Sequence, residues 1–196
     1  MKQELVRYMQ RYASMSEEEA QVIVADIQVE EFKQGSVLLQ QGEVPTHCYF
    51  VLKGCVRQYS IDEGGREVTS NFYTEEQAIA IFNHHKDDKA SPYTFICVED
   101  SILVVGEMEE EKAMYDKHKP LEGITRTIME ENMGKSQEEW AAFIASSPEE
   151  RFRYMLHKRP GLIDRVPQHQ LASYLGMTPE SLSRIKKRVR DEQGVQ

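Results

Sequence analysis

Between Gln168 and Val189 the chain reads QHQLASYLGMTPESLSRIKKRV, a pattern that leaves its backbone few choices. Apolar residues recur at helical spacing, first through Leu171 and Leu175, then through Leu182, Ile185 and Val189. Gly176 separates the two runs and permits a sharp turn, and Thr178 and Pro179 then supply an N-cap and a first helical position. Two helices so joined pack only if the facing positions are apolar and one is small. Leu171, Leu175, Met177, Leu182 and Ile185 fill those positions, and Ala172 lets the helices approach. The spacing predicts a tight helical hairpin, a unit that occurs both with and without a nucleic-acid partner.

The outward face of the second helix bears on that choice. With Leu182, Ile185 and Val189 inward, the residues left outside are Glu180, Ser181, Ser183, Arg184, Lys187 and Arg188. Glu180 and Arg184 lie four apart and project together. An arginine can bond guanine O6 and N7 in the major groove, and a glutamate can accept from cytosine N4. Glu180, Ser181 and Arg184 are therefore candidate base readers. Thr178, Ser183, Lys186, Lys187 and Arg188 are placed for phosphates, which position a protein without reading sequence. The plainer alternative is a surface Glu–Arg pair of a few tenths of a kcal/mol; the surrounding motif favours base readout.

A formal net charge of −9 argues against a nucleic-acid partner at first sight. Its distribution does not. Residues 146–196 hold 10 Lys and Arg against 6 Asp and Glu, leaving 14 against 27 in the rest. A basic segment on an acidic body suits a separate contacting module, although a merely solvated basic helix would show the same asymmetry.

Upstream, Leu5, Tyr8 and Tyr12 sit at helical spacing, and Ser16 with Glu19 reads as a capping box for a second helix through about Ile27. From Phe32 the pattern turns to short strands. Val37–Leu39, Tyr49–Leu52, Val56–Ile61 (with period-two alternation), Val68–Tyr73, Tyr93–Val98 and Ile102–Val105 are separated by turn residues, among them the hairpin signal Asp62-Glu63-Gly64-Gly65. With no helices between them, such strands predict a small antiparallel barrel or roll. Residues 117–144 return to helix, near 40 Å long at about 1.5 Å per residue. Leu121, Ile124 and Ile128 make one stripe, and Met129, Met133 and Trp140 a neighbouring one. Two stripes suit a helix between its own body and a second copy, with Leu121, Ile124 and Ile128 as candidate dimerisation residues; a single broad core stripe on a monomer is the alternative. Gly123 and Gly134 would mark a bend or a close crossing. Ser147, Pro148 and Glu150 open a further helix with Phe152, Met155 and Leu156 on its apolar face, and Arg159-Pro160-Gly161 ends it.

The whole chain resembles the Crp/Fnr family of bacterial regulators. GSVLLQQGEVPTHCYFVLKGCVRQYSIDEGGRE (Gly35 to Glu67) is similar to that family's glycine-punctuated roll, with Gly35, Gly42, Gly54 and Gly65 in place, and LASYLGMTPESLSRIKKRV to its recognition helix. The resemblance implies an α+β chain in three parts: a cyclic-nucleotide-binding-like antiparallel β-roll with N-terminal helices (1–116), a dimerisation helix (117–145) and a helix-turn-helix domain (146–196). It implies that Glu180 and Arg184 fall on base-reading positions, while Pro179 stands where some members place another arginine. Expected partners are double-stranded DNA and a second copy of the chain, with RNA polymerase as a further candidate and the effector left open.

Two features depart from that family. Members that bind cyclic nucleotides carry a Gly-Glu cassette ending in an arginine for the cyclic phosphate. Here the region reads EEQAIAIFNHHKDDKASPYTFICVEDS, without Gly-Glu and with Ser91 about where the arginine would stand; Lys86 and Lys89 read as solvated. A sensor shape without a cyclic AMP site is expected. Little sequence follows Arg190, so the β-hairpin wing of many members is expected to be absent.

Three scattered cysteines (Cys48, Cys55, Cys97) suit buried thiols in a reducing cytosol and are too few for an iron–sulfur cluster. His84-His85 is the obvious haem-ligand pair, but in a Lys/Asp loop it reads as exposed. No histidine spacing suits a metal, and no Walker, G-x-G-x-x-G or G-x-S-x-G motif occurs. No apolar run is long enough for a bilayer, and no signal peptide is evident. The expectation is a cytoplasmic, non-enzymatic regulator with no catalytic residues, cofactor or metal. The rival is a ligand-binding or protein-interaction module whose C-terminal hairpin does not bind DNA.

Overall fold

The computed structural model describes residues 2–79 and 89–193. Two N-terminal helices, α1 (Lys2–Tyr12) and α2 (Glu17–Asp26), open the chain. The capping box at Ser16 is formed: its hydroxyl accepts from the Glu19 N–H at 3.1 Å while the Glu19 carboxylate accepts from the Ser16 N–H at 2.8 Å. Eight strands then build two antiparallel sheets. One runs β1 (Gln28–Phe32), β8 (Ser101–Glu107), β3 (His47–Lys53), β6 (Ala78–Ile79); the other runs β2 (Val37–Leu39), β7 (Thr94–Cys97), β4 (Val56–Ile61), β5 (Glu67–Tyr73). Leu39, Val51, Val56, Ile79, Phe95, Cys97 and Leu103 pack between the sheets as one core. The antiparallel roll expected from the sequence is present.

At the crossing of the sheets, Gly54 holds φ at +109°, a region closed to most side chains, and a Cβ there would lie 2.2 Å from the Ser101 hydroxyl. Gly35, Gly42 and Gly65 also have positive φ.

Several elements differ from expectation. β1 starts at Gln28, four residues before the strand pattern is visible, because its register against β8 (Gln28 opposite Val105, Phe32 opposite Ser101) is fixed by its partner. In β4 the alternation fails at the outset: Val56 and Arg57 are both buried, since the second sheet is covered on its outer face as well. The short helices α3 (Glu111–Lys117) and α6 (Leu162–Arg165), and the two-residue β6, lack a periodic signal long enough to read.

Helix α4 (Lys119–Ala145) has 27 residues. Its Ile124 and Ile128 are 3% and 9% exposed and pack, with half-buried Leu121, against Leu5, Val6, Tyr8 and Met9 of α1 and Ala20, Ile23 and Val24 of α2. The stripe expected to form a dimer seam is thus corrected: it is committed to the chain's own core, because the N-terminal helices already cover it. Met133, Trp140 and Ile144 of the same helix stay 64%, 64% and 63% exposed. A Cβ at Gly123 or Gly134 would meet nothing within 4 Å, so neither marks a close crossing within this chain. His118, at the start of α4, is buried and 2.5 Å from Asp26, which also pairs with Lys117 at 2.9 Å.

The last helices are α5 (Pro148–Lys158), α6, α7 (Gln168–Tyr174) and α8 (Pro179–Gln193). Ser147 caps α5 with a capping box to Glu150. Their core is not their own. Cys55, Phe72 and Val98 of the roll join Phe152, Met155, Leu162, Val166, Leu171, Leu182, Ile185 and Val189 in one buried cluster. The outer face of the second sheet is therefore the floor on which the C-terminal helices sit.

Candidate nucleic-acid interface

The hairpin forms as its spacing predicts. Gly176 turns with φ at +68°, and the Met177 N–H donates to the Ala172 carbonyl at 3.0 Å. A Cβ at Gly176 would approach Arg151 Nη1 to 3.1 Å and the Phe143 ring to 3.4 Å, so the turn is crowded as well as left-handed. Leu171, Ala172, Leu175, Leu182, Ile185 and Val189 are buried and Met177 is half-buried. Thr178 caps α8, its hydroxyl accepting from the Ser181 N–H at 3.2 Å and donating to the Ser181 hydroxyl at 3.2 Å.

Helix α8 presents Glu180, Ser183, Arg184, Lys187 and Arg188 to solvent, with Ser181 and Lys186 half-buried. No ion pair within 4.0 Å ties Glu180 to Arg184, so both heads remain available. The Glu180 carboxyl is held below the usual range by its own backbone N–H and the Thr178 hydroxyl, with Arg184 adding a smaller pull; it is ionised at neutral pH. Arg188 is differently placed from its neighbours. Its guanidinium lies 2.5 Å from Glu149, which also binds Arg153 at 2.8 Å. Thr178 and Arg188, two of the expected phosphate contacts, thus already have intramolecular partners, whereas Lys186 and Lys187 have none in an ion pair among the described residues.

What seats the hairpin on the roll was not visible in the sequence. Thr69 of β5 donates its N–H to the Ser173 hydroxyl at 2.9 Å, and that hydroxyl donates to the Glu67 carbonyl at 3.3 Å. Tyr174 meets Phe72 edge-on at 5.5 Å. Arg159 donates to the Phe72 carbonyl at 3.0 Å and to Glu139 of α4 at 3.1 Å. Arg165 grips Glu75 with both terminal nitrogens, at 2.8 and 2.9 Å, and Glu99 at 2.5 Å. Burial raises the Glu75 pKa, but Arg165 and the Gly54 N–H outweigh it and the net direction is down. Under α7, Arg57 is 3% exposed, stacked on Tyr59 and bonded to Thr69 at 2.9 Å and Glu67 at 2.6 Å. The partners lie up to 106 residues apart, a separation no local signal can bridge.

In the roll, Ser91 is buried; its hydroxyl donates to the Tyr93 carbonyl at 2.8 Å and its N–H to the Glu43 carbonyl at 2.8 Å. That position holds a neutral turn residue whose hydrogen bonds are internal. His84, His85 and Lys86 lie outside the described residues. Cys55 and Cys97 are buried and Cys48 half-buried, all free thiols. Among the described residues no three His, Cys, Asp or Glu side chains come together as a metal-binding group, and no helix is long and apolar enough to cross a membrane.

With two facing sheets, a following long helix and a docked helical hairpin in place, comparison with known proteins places the roll. Residues 29–118 match the cyclic nucleotide-binding domain. This domain occupies the strands and α3, and stops where α4 begins. No curated protein matches the chain in sequence. Among solved structures, FixK2 from Bradyrhizobium japonicum superposes with a TM-score of 0.69 at 14% identity, over 85% of this chain and 86% of that one. The c-di-GMP-responsive global regulator CLP of Xanthomonas campestris gives 0.67 at 13% identity, over 91% and 93%. The catabolite activator protein of Thermus thermophilus gives 0.53 at 20% identity, over 93% and 87%. At such identities the likeness establishes the fold alone: residues 29–118 match a cyclic nucleotide-binding domain, and the chain shares the overall architecture of these solved structures.

Proposed function

We propose that this protein is a sequence-specific DNA-binding transcription regulator of the Crp/Fnr type, acting as a homodimer on a pseudo-palindromic site. The observation that carries the reading is α8. Its apolar face is closed on the cluster of Leu171, Leu182, Ile185 and Val189, while Glu180 and Arg184 stand exposed, charged and unpaired with each other near its N-terminus. In this reading Glu180, Ser181 and Arg184 contact base edges in the major groove, and Ser183, Lys186 and Lys187 contact phosphates. Arg188 joins the phosphate contacts by exchanging its pair with Glu149 for one with DNA.

Two copies would pack along the exposed Met133, Trp140 and Ile144, which share one face of α4, setting the recognition helices about 34 Å apart on one side of the duplex. The neutral, internally bonded Ser91 supports a roll that does not take cyclic AMP, since a cyclic phosphodiester calls for a cation and free donors. An effector acting on the roll would reach the hairpin through its seat on β5 and the Arg165 pairs.

The test is selection of bound sequences from random duplex DNA by the purified protein at fixed near-physiological salt. Enrichment of an inverted repeat is expected. Binding without enrichment would instead favour the interaction-module reading, which the existing pair between Arg188 of α8 and Glu149 of α5 also suits.

A further inference from the structure

We propose that the cavity at the corner between α3 and α4 binds an amphipathic organic cation, an apolar body carrying one positive charge. The cavity measures about 420 Å³, within the range of small-molecule sites. It lies where β8 ends and the chain turns through α3 into α4, on the opposite side of the first sheet from the roll's interior. Its floor is apolar and half-buried: Val104, Met108, Met114, Leu121 and Met129. Three of these five are methionines, whose unbranched, polarizable side chains adapt to an occupant rather than pack rigidly. Tyr115 adds an aromatic ring that can face a cation.

Around that floor stand Glu107, Glu110, Glu111 and Glu122, against a single cation, Arg126. None of these five is in an ion pair among the described residues; Glu111 accepts only the Tyr115 hydroxyl, at 2.6 Å. The remaining carboxylate of the wall, Asp26, is already matched by Lys117 and His118. Four unmatched carboxylates about an apolar floor repel one another, and an apolar cation relieves that repulsion while covering the floor. An anion would meet the opposite field, so this chemistry is distinct from that of a cyclic nucleotide. The inference does not depend on DNA binding, and its occupant would wedge between the roll and α4.

Isothermal titration of the full chain with tetraphenylphosphonium and with tetraphenylborate, ions of matched size and opposite charge, tests the proposal. The phosphonium is expected to bind one per chain, with the borate at least about tenfold weaker. Glu122→Gln should weaken phosphonium binding about two- to fivefold, as loss of one partly screened charge predicts. Met114→Trp, which fills the floor, should abolish it; if that variant fails to fold by circular dichroism, Thr125→Phe fills the same cavity from α4. Equal affinity for both ions, no phosphonium binding, or binding unchanged by cavity filling would each overturn the proposal. So would an increase in free protomer on Met114→Trp in sedimentation, which would make a second copy of the chain the occupant.

Discussion

Arg184 and Lys187 sit three residues apart on α8, both exposed, yet the groove reading gives them different tasks. Arg184 is near the helix N-terminus, where a guanidinium can reach a guanine edge in bidentate geometry. Arg184→Ala should therefore cost about 1–3 kcal/mol at one base-pair position and relax preference there. Lys187→Ala should weaken all sequences alike and lower the slope of log K against log salt by about 1. Competition binding over a set of single-base variants separates the two. A uniform loss for Arg184→Ala would remove its assigned role. The Glu180 carboxyl, held below the usual range first by its own backbone N–H and then by Thr178, is set to accept from cytosine across the same pH range as ordinary glutamates or wider.

At the scale of elements, the seat of α7 on β5 joins the two ends of the molecule. Arg165 links α6 to Glu75 and Glu99, two carboxylates on separate turns of the roll, and leaves both facing one another if removed. Glu75 has its pKa depressed on folding, so its contribution is present above its ordinary value of 4.5 and is lost as pH falls through the lower folded value. The melting-temperature gap between wild type and Glu75→Gln should therefore be widest near neutral pH and close as pH falls through the depressed folded-state value. Arg165→Ala should lower stability by about 1–2 kcal/mol near neutral pH, with the same acid convergence. A gap that persists undiminished at low pH would show that the loss is packing rather than charge.

The whole molecule melts as its cores dictate. Phe72 is fully buried in a cluster that contains both roll and hairpin residues, and among the described residues no second cluster serves the C-terminal helices alone. Phe72→Ala should cost about 3–5 kcal/mol. It should also lower a single calorimetric transition, because a core shared across the chain couples its parts. Two separated transitions, with only one moved, would contradict that coupling. At the same scale, the proposed homodimer would form on the exposed stripe of α4. Trp140→Glu together with Met133→Glu should shift a dimer toward monomer in sedimentation equilibrium while leaving the fold intact, since both side chains lie outside every buried cluster. Loss of the dimer should in turn weaken DNA binding to an inverted repeat far more than to a half-site.

The sequence by itself determined the elements whose signals are local. Gly176, Thr178 and the Leu182–Ile185–Val189 spacing define the hairpin because a turn, a cap and a helical face each depend on a few neighbouring residues. Ser16 with Glu19, Ser147 with Glu150, and the glycines of the roll are legible for the same reason. Two stripes on α4 were legible as well, but not which of them faces inward. That choice belongs to α1 and α2, which cover Ile124 and Ile128 from more than 90 residues away in sequence. β1 needed β8 to become a strand, and Arg57 needed Thr69 and Glu67 of β5 to be held in a buried place. The seat of the hairpin, through Ser173, Arg159 and Arg165, is wholly tertiary. Polar side chains carry no periodic signature of their partners, and only the packing of the second sheet against α7 brings those partners within hydrogen-bond reach.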